Sequence, residues 1–136
     1  MRVYLDANTL FSACLPNSRL AVFVRLLKHK GECLYSNYAL NEAAKNLGRK
    51  FPVQLPELAG LTSGMSEVPD HAGLSGVEIR AKDEPIISAA IAAGATHLLT
   101  GDKRDFGPFF GKTIQGVKIV TAAMLASELD EAGLLD

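Results

Sequence analysis

Acidic side chains stand at the ends of short apolar segments throughout this chain of 136 residues. Asp6, Asp102 and Asp105 each follow such a segment closely, and Asp83 opens a helical pattern. In open parallel sheets, the ends of strands meet at one crevice, where ligands bind. Carboxylates gathered there repel one another unless a cation shares them, and hard cations take oxygen ligands. The pattern therefore predicts a magnesium or manganese site and phosphate chemistry.

The segments that must position these carboxylates alternate between strand and helix. Strands are predicted for segments with an apolar or β-branched run, namely 2–6, 33–35, 65–68, 97–100 and 117–120. Helices are predicted where apolar residues follow helical spacing between caps and stops, namely 19–30, 37–48, 52–61, 85–93 and a last helix after Thr121. Segment 70–82 has a weak signal and is predicted to be mostly loop.

This alternation predicts the fold class. Consecutive βαβ units with right-handed crossovers build an α/β fold, with three layers in the order α/β/α and a central five-stranded parallel sheet. If strand one is central, the strand order is 3-2-1-4-5. Strands one and four are then neighbours, and Asp6 and Asp102 face each other across the crevice between their ends.

Composition limits the class of protein. A chain of this length is expected to form one domain, 1–136. Fourteen basic and fifteen acidic residues give a net charge of −1, so bulk charge does not indicate a nucleic-acid binder. If several acids share one pocket, however, the remaining surface is net positive. Cys14 and Cys33 form no metal-ligand pattern and suit a reducing compartment. With no signal peptide and no membrane-spanning run, we expect a cytoplasmic protein.

Each acidic position also has a purely structural explanation. Asp6 would cap a helix that begins just after it. An N-cap role would by itself explain Asp83 completely. Asp102 and Asp105 would be solvated acids in a surface turn. What favours chemistry over these explanations is location, because the topology brings the loop of Asp102 beside Asp6. Phe106 can anchor that loop and hold its carboxylates in place.

Glu42 has the weakest signal of the acidic positions. It lies away from the apolar face of its predicted helix, and a solvated ion pair with Lys45 would explain it. Tyr38, Glu42, Lys45 and Arg49 nevertheless share one stripe. If that stripe borders the crevice, it supplies one acid and two cations for phosphate.

Four segments taken together resemble the PIN-domain family of nucleases, with the nearest likeness to VapC-like toxins. They occur in the family's order along the whole chain: Val3-Tyr4-Leu5-Asp6-Ala7-Asn8, Ser36-Asn37-Tyr38-Ala39-Leu40-Asn41-Glu42, Asp83 with Ile86-Ile87-Ser88-Ala89-Ala90, and Leu98-Leu99-Thr100-Gly101-Asp102-Lys103-Arg104-Asp105-Phe106. Segment 70–82 matches little.

The resemblance implies a magnesium- or manganese-dependent site that cleaves RNA. It carries over Asp6, Glu42, Asp83 and Asp102 as the acidic set, with Asp105 as an extra member on the same loop. How Asp102 and Asp105 divide the work stays open, as does the number of metal ions. The resemblance also implies a homodimer and, for the toxin branch, an antitoxin protein that blocks the site.

Other side chains would assist this set. Asn8 offers a second oxygen near Asp6, and Thr100 either hydrogen-bonds a ligand carboxylate or simply ends its strand. Basic residues near the acids in sequence would contact RNA phosphates or remain solvated. The four predicted as RNA contacts are Lys45, Arg49, Lys103 and Arg104.

The sequence leaves two alternatives to a metal-dependent endoribonuclease. One is a PIN-like module without catalysis, which binds RNA or a protein while the acids serve as caps. The other is a phosphatase of the haloacid dehalogenase type, in which Asp6 would be the nucleophile. That mechanism needs a proton donor two residues later, where this chain has Asn8. No histidine fits the role of general base.

Overall fold

The computed structural model of the protein describes residues 1–135 and is built around one six-stranded sheet. The strand order is β3-β2-β1-β4-β6-β5, and every pair is parallel except β5 with β6. The strands are Arg2–Leu5 (β1), Glu32–Ser36 (β2), Ser66–Val68 (β3), His97–Leu99 (β4), Thr113–Ile114 (β5) and Val117–Val120 (β6). The predicted α/β/α class and the order of the five parallel strands are confirmed, with β6 as the predicted fifth strand.

The predicted strand count was one too few, because β5 forms a hairpin with β6. Its two-residue turn is Gln115-Gly116, and both residues have positive φ, 48° and 87°. Such turns usually contain Asn-Gly or Asp-Gly, since Asn and Asp tolerate the left-handed conformation. Gln115 does not carry that signal, so the sequence did not indicate a hairpin.

Seven α-helices and two short 3-10 turns connect the strands within residues 1–135. The α-helices are Ala7–Ala13 (α1), Arg19–Lys30 (α2), Asn37–Lys50 (α3), Glu57–Thr62 (α4), Glu84–Ala92 (α5), Lys103–Phe106 (α6) and Ala122–Glu131 (α7). The segment predicted as one helix at 52–61 is split into a 3-10 turn, Pro52–Gln54, and α4. The loop after β4 contains the short helix α6, which the sequence pattern does not predict. No helix in the described part of the chain has the length and apolar character of a membrane span.

Parallel pairing buries the central strands on both faces. Val3, Tyr4 and Leu5 of β1 are fully buried, as are Leu34 and Leu98 of the strands on either side. Phe106 of α6 is also fully buried and fastens the loop after β4 to this core, as predicted. The carboxyl ends of β1 and β4 are thus held at fixed places next to each other.

The amino terminus of α3 is capped from a distance. Ser36 occupies the N-cap position, but its hydroxyl is hydrogen-bonded to the buried Tyr4 hydroxyl and caps nothing. Instead the Asp70 carboxylate accepts from the backbone N–H of Tyr38 at 3.1 Å. Ser36 therefore begins the helix without a side-chain cap of its own. The cap comes from the segment that follows β3.

Segment 70–82 contains no helix or strand, as predicted, yet its path is held by side chains. The Glu84 carboxylate accepts from the backbone N–H groups of Gly73 and Ser75 and from the hydroxyls of Ser75 and Ser88. Burial opposes the charge, but these hydrogen bonds lower the pKa of Glu84. Since Glu84 opens α5, the loop is fastened to the same helical turn that follows Asp83.

Gly31, which ends α2, is required by a close approach between backbones. A Cβ at this position would lie 2.5 Å from the carbonyl oxygen of Met1, which accepts from the N–H of Glu32 where β1 and β2 begin to pair. We expect Gly31→Ala to lower the free energy of unfolding by ~1–3 kcal/mol, the usual cost of overpacking. Urea denaturation measures it.

Gly48 provides the matched control. It lies in α3, and the space that an added methyl group would occupy is open, so Gly48→Ala should raise the free energy of unfolding by ~0.5–1 kcal/mol. Equal effects of the two substitutions would contradict the steric explanation.

Candidate functional site

A cleft of about 220 Å³ opens at the carboxyl end of the sheet, where β1 and β4 lie side by side. The backbone N–H of Asp6 donates to the carbonyl of Leu99 at 3.1 Å, which joins the two strand ends. Polar residues from several segments line the cleft. They are Asp6, Asn8, Glu42, Asn46, Lys50, Lys82, Asp83 and Asp102. Three acids that lie far apart in sequence, Asp6, Asp83 and Asp102, thus share one cavity.

Asp6 is almost fully buried at the start of α1. One carboxylate oxygen accepts from the N–H of Ala7 at 2.6 Å, and the other accepts from the Thr100 hydroxyl at 2.7 Å. Burial raises the pKa of Asp6 to about 6, against the effect of these hydrogen bonds, and the charges of Asp102 and Glu42 raise it further. Asp6 therefore caps a helix and also contributes an acid to the cleft.

Asn8 and Thr100 form a bridge behind Asp6. The Asn8 amide donates to the Thr100 hydroxyl at 3.4 Å, and its carbonyl oxygen accepts from the N–H of Gly101 at 3.3 Å. Thr100 directly follows the last residue of β4, and its hydroxyl donates to the Asp6 carboxylate. Its role beside a metal ligand stays a prediction. An amide engaged in this way at position 8 offers no acid for a phosphatase mechanism.

Asp83 is buried without a helix-capping bond, although it occupies the N-cap position of α5. Its Oδ2 atom is buried with no hydrogen-bond partner in the described structure. The explanation of Asp83 as a structural cap was therefore wrong. Burial, and next the neighbouring carboxylate of Asp105, raise the pKa of Asp83 to about 7. A buried, unpartnered carboxylate oxygen is costly unless a ligand satisfies it.

Asp83, Asp102 and Asp105 present carboxylate oxygens within 4.8 Å of one another. Asp102 lines the cleft and caps α6 by accepting from the N–H of Asp105 at 3.1 Å. Asp105 lies 3.6 Å from the cationic groups of both Arg80 and Lys82. The neighbouring carboxyl of Asp83, and then these two cations, lower the pKa of Asp105. Asp105 thus favours its ionised form, and Asp83 favours its protonated form.

This donor set fits a hard divalent cation. It consists of carboxylate oxygens from two segments, one of them buried and unpartnered, with Asp6 of a third segment in the same cleft. Magnesium and manganese prefer such all-oxygen surroundings, and a cation would offset the burial and the repulsion that raise the pKa of Asp83 and Asp6. Among the described residues that line the cleft there is no histidine.

Glu42 reaches the cleft from α3 on a different stripe from the one predicted. Glu42, Asn46 and Lys50 follow one another at intervals of four residues along its wall. Glu42 forms no ion pair with Lys45 within residues 1–135, so the simple explanation for this acid was wrong. A four-residue spacing from Glu42 would have found Asn46 and Lys50 in the sequence.

The basic residues divide between the cleft and its surroundings. Lys50 and Lys82 line the cavity, whereas the four predicted RNA contacts are exposed and lie outside its lining. Those four are Lys45, Arg49, Lys103 and Arg104. Lys82 lies in a segment without a structural signal, which is why the sequence did not distinguish it. The Tyr38 hydroxyl donates to the Lys82 carbonyl at 2.6 Å and fastens that segment to α3.

The protons held by Asp83 and Asp6 make the stability of the metal-free protein depend on pH. In the unfolded chain these carboxyls titrate near pH 4, so the stability that their protonated forms contribute is lost as pH rises toward 7. In EDTA, Asp83→Asn should flatten this decline and exceed the wild type at pH 8 by on the order of 1 kcal/mol. Urea titrations at pH 5 and pH 8 measure it.

Asp130→Asn is the matched control, because Asp130 is an exposed acid at the end of α7. Its profile should follow the wild type. Parallel profiles for the wild type and Asp83→Asn would mean that Asp83 does not hold a proton in the folded protein.

Solved structures match this chain, whereas no family model and no curated protein matches it. A chain of VapBC2 from Rickettsia felis, bound to a DNA fragment from its promoter, is 20% identical with a TM-score of 0.64, and the match covers 89% of this chain and 98% of that one. VapC20 of Mycobacterium tuberculosis, a toxin that cleaves the sarcin-ricin loop, is 12% identical with a TM-score of 0.59 over 82% and 98%.

A third structure, FitAB bound to an IR36 DNA fragment, is 17% identical with a TM-score of 0.59, and the match covers 88% of this chain and 94% of that one. The likeness extends over nearly the full length of each matched chain. The chain therefore has the PIN-like α/β/α fold that these VapC and FitAB structures share.

Proposed function

We propose that this protein is a metal-dependent endoribonuclease that hydrolyses RNA phosphodiester bonds in the cytoplasm, as a single domain over 1–136. The proposal is carried by one observation: the buried, unpartnered oxygen of Asp83 lies in a group of carboxylates in a solvent-accessible cleft. A fold maintained only for packing would bury an apolar residue there, because an unpartnered carboxylate destabilises the folded state.

Asp83, Asp102, Asp105 and Asp6 would hold Mg²⁺ or Mn²⁺. When bound, such a cation acts as a Lewis acid toward the phosphodiester and toward water. Thr100 keeps the Asp6 carboxylate in one orientation through its 2.7 Å hydrogen bond. Above pH 7 protons no longer compete strongly for Asp6 and Asp83, so the set would be available to a cation.

Glu42 faces the other acids from the α3 wall of the cleft. From that wall its carboxylate would orient the attacking water and accept its proton. Lys82 and Lys50 would balance the charge of the phosphate as it approaches the acids.

More distant phosphates of the RNA would be bound by basic side chains outside the cleft. Their exposure leaves them free to reach a polyanion, and contacts of this kind make binding depend on salt. The residues proposed for this role are Lys45, Arg49, Lys103 and Arg104.

The matched structures support a role in a toxin-antitoxin pair. VapC20 is a toxin that cleaves the sarcin-ricin loop, and VapBC2 and FitAB are complexes that bind DNA. By analogy of fold, we propose that this chain is the toxin, that it forms a homodimer, and that a cognate antitoxin protein covers its cleft.

A PIN-like module without catalysis is the second candidate. Asp6 and Asp102 both cap helices, so a structural role accounts for them. The two candidates differ in their response to metal, because a cation that binds only the folded state stabilises it. A melting temperature that does not rise in millimolar Mn²⁺ would favour the module.

Cleavage of labelled RNA by the purified protein tests the proposal. We expect cleavage in Mn²⁺ or Mg²⁺, none in EDTA, and losses of more than ~100-fold for Asp6→Asn and Asp83→Asn, beyond the effect usual for residues that only support a ligand. Asp130→Asn, an exposed acid, should cleave like the wild type. Cleavage that survives chelation or Asp83→Asn would exclude the mechanism.

Thr100→Val tests the bridge behind Asp6. Valine keeps the shape of the side chain but removes the hydroxyl that donates to Asp6, so we expect a loss of roughly 10–100-fold in kcat/KM with the fold retained. Unchanged kcat/KM in this variant, with a normal thermal melt, would show that Asp6 needs no such support.

A further inference from the structure

Two aromatic rings lie where α1 and the end of α3 meet at the cleft. Phe11 of α1 lines the cavity, and Phe51 lies beside it with 5.9 Å between ring centroids and 53° between ring planes. Lys50 places its ammonium group 5.9 Å from the Phe11 centroid, within the range of a cation–π contact. Asn46 lies one helical turn earlier on the same wall. We call these four residues the aromatic rim.

The local sequence explains why Phe51 is at the surface. Pro52 disfavours helical backbone at the residue before it, so α3 ends at Lys50 and the chain turns at Phe51. The turn brings the ring against Phe11, while the residue as a whole stays 44% exposed. Phe11 packs against the core, whereas Phe51 is one of the large apolar residues left at the surface. The fold therefore gains little from an aromatic side chain at position 51.

Charge around the aromatic rim differs from charge inside the cleft. The last turn of α3 carries Arg49 and Lys50, and Lys45 is exposed one turn earlier. The centre of the cleft carries Asp6, Asp83 and their acidic neighbours. A polyanion is thus attracted to the rim and reaches the acids from there.

We propose that the aromatic rim binds one unpaired nucleobase of the RNA, stacked on the exposed face of Phe51. This inference rests on the proposed nuclease function and adds a nucleobase subsite to it. Every nucleobase has a flat apolar face for the ring and polar edges for the Asn46 amide, and its phosphate is an anion for Lys50. The rim is continuous with the cleft through Phe11, so a bound base directs its own strand toward the carboxylates.

The occupant is a nucleobase and not an apolar surface of a protein, because Phe51 packs on Phe11, whose ring carries the Lys50 ammonium group and lines the cleft together with the Asn46 amide. A base can stack on the ring only when it is unstacked from its own strand, which paired RNA does not allow. The rim therefore accepts an unpaired base, and it does so without reading sequence.

Binding measurements with two RNA probes test this. Both are labelled single-stranded 12-mers, one of adenosine nucleotides and one of the same length with abasic riboses throughout. Titrations by fluorescence anisotropy use the Asp6→Asn background, so that no strand is cut and the result is independent of cleavage. We expect Phe51→Ala to weaken binding of the adenosine probe by about 5–150-fold and to leave the abasic probe unchanged.

Three further variants separate the contribution of ring stacking from those of apolar contact and of charge. Phe51→Leu keeps an apolar side chain without a ring, and its affinity for the adenosine probe should fall nearly as far as that of Phe51→Ala. Val53→Ala, at a residue that is 83% exposed and outside the cleft lining, should bind both probes like the parent. Lys50→Gln should weaken both probes and reduce the slope of affinity against salt by about 1.

The proposal is overturned if Phe51→Ala binds the adenosine probe as tightly as the parent, which would leave the ring to a protein partner. It is also overturned if Phe51→Leu binds the adenosine probe as tightly as the parent, or if Phe51→Ala weakens binding of both probes equally. Failure of the parent to bind either probe overturns it as well. Failure of RNA cleavage alongside a base-dependent loss in these titrations would count against the nuclease function and not against the rim.

Discussion

Repulsion among buried carboxylates is the constraint on which this molecule depends. Asp83 and Asp6 are held close to other acids and away from water, so each favours its protonated form. The buried core of the sheet lies on one side of these side chains, and the starts of α1 and α5 lie on the other. The neighbouring cations Arg80 and Lys82 stabilise the ionised form of Asp105. A group of acids arranged in this way attracts positive charge.

The sheet topology places these carboxylates at the crevice where open parallel sheets bind ligands. The strand order reverses at β1, so the ends of β1 and β4 are adjacent while their crossovers leave in opposite directions. The crevice opens at this point. Hydrogen bonds across the strand ends, from Asp6 to Leu99 and from Thr100 to Val120, keep its floor rigid. Helices α3 and α5 then provide the walls from which Glu42 and Asp83 face Asp6.

Much of this was predictable from sequence, for identifiable reasons. Strand apolarity and helix stops at residues such as Gly31 are local signals, and the strand order follows from them once the first strand is placed at the centre of the sheet. The features that were not predicted depend mainly on contacts between residues that are far apart in sequence. Asp70 caps α3 only because the chain returns there, and the ion pairs of Asp105 depend on a loop without periodicity. Gln115 adopts a left-handed turn that its residue type does not indicate.

Segment 70–82 is fastened near both of its ends and along its middle by residues that belong to α3 and α5. The Asp70 carboxylate accepts a hydrogen bond from the backbone N–H of Tyr38, and the Lys82 carbonyl accepts one from the Tyr38 hydroxyl. The Glu84 carboxylate accepts one from the Ser75 hydroxyl. Between these attachments most side chains face solvent. Substitutions at the exposed positions would therefore change the shape that an approaching molecule meets and leave the acidic floor underneath in place.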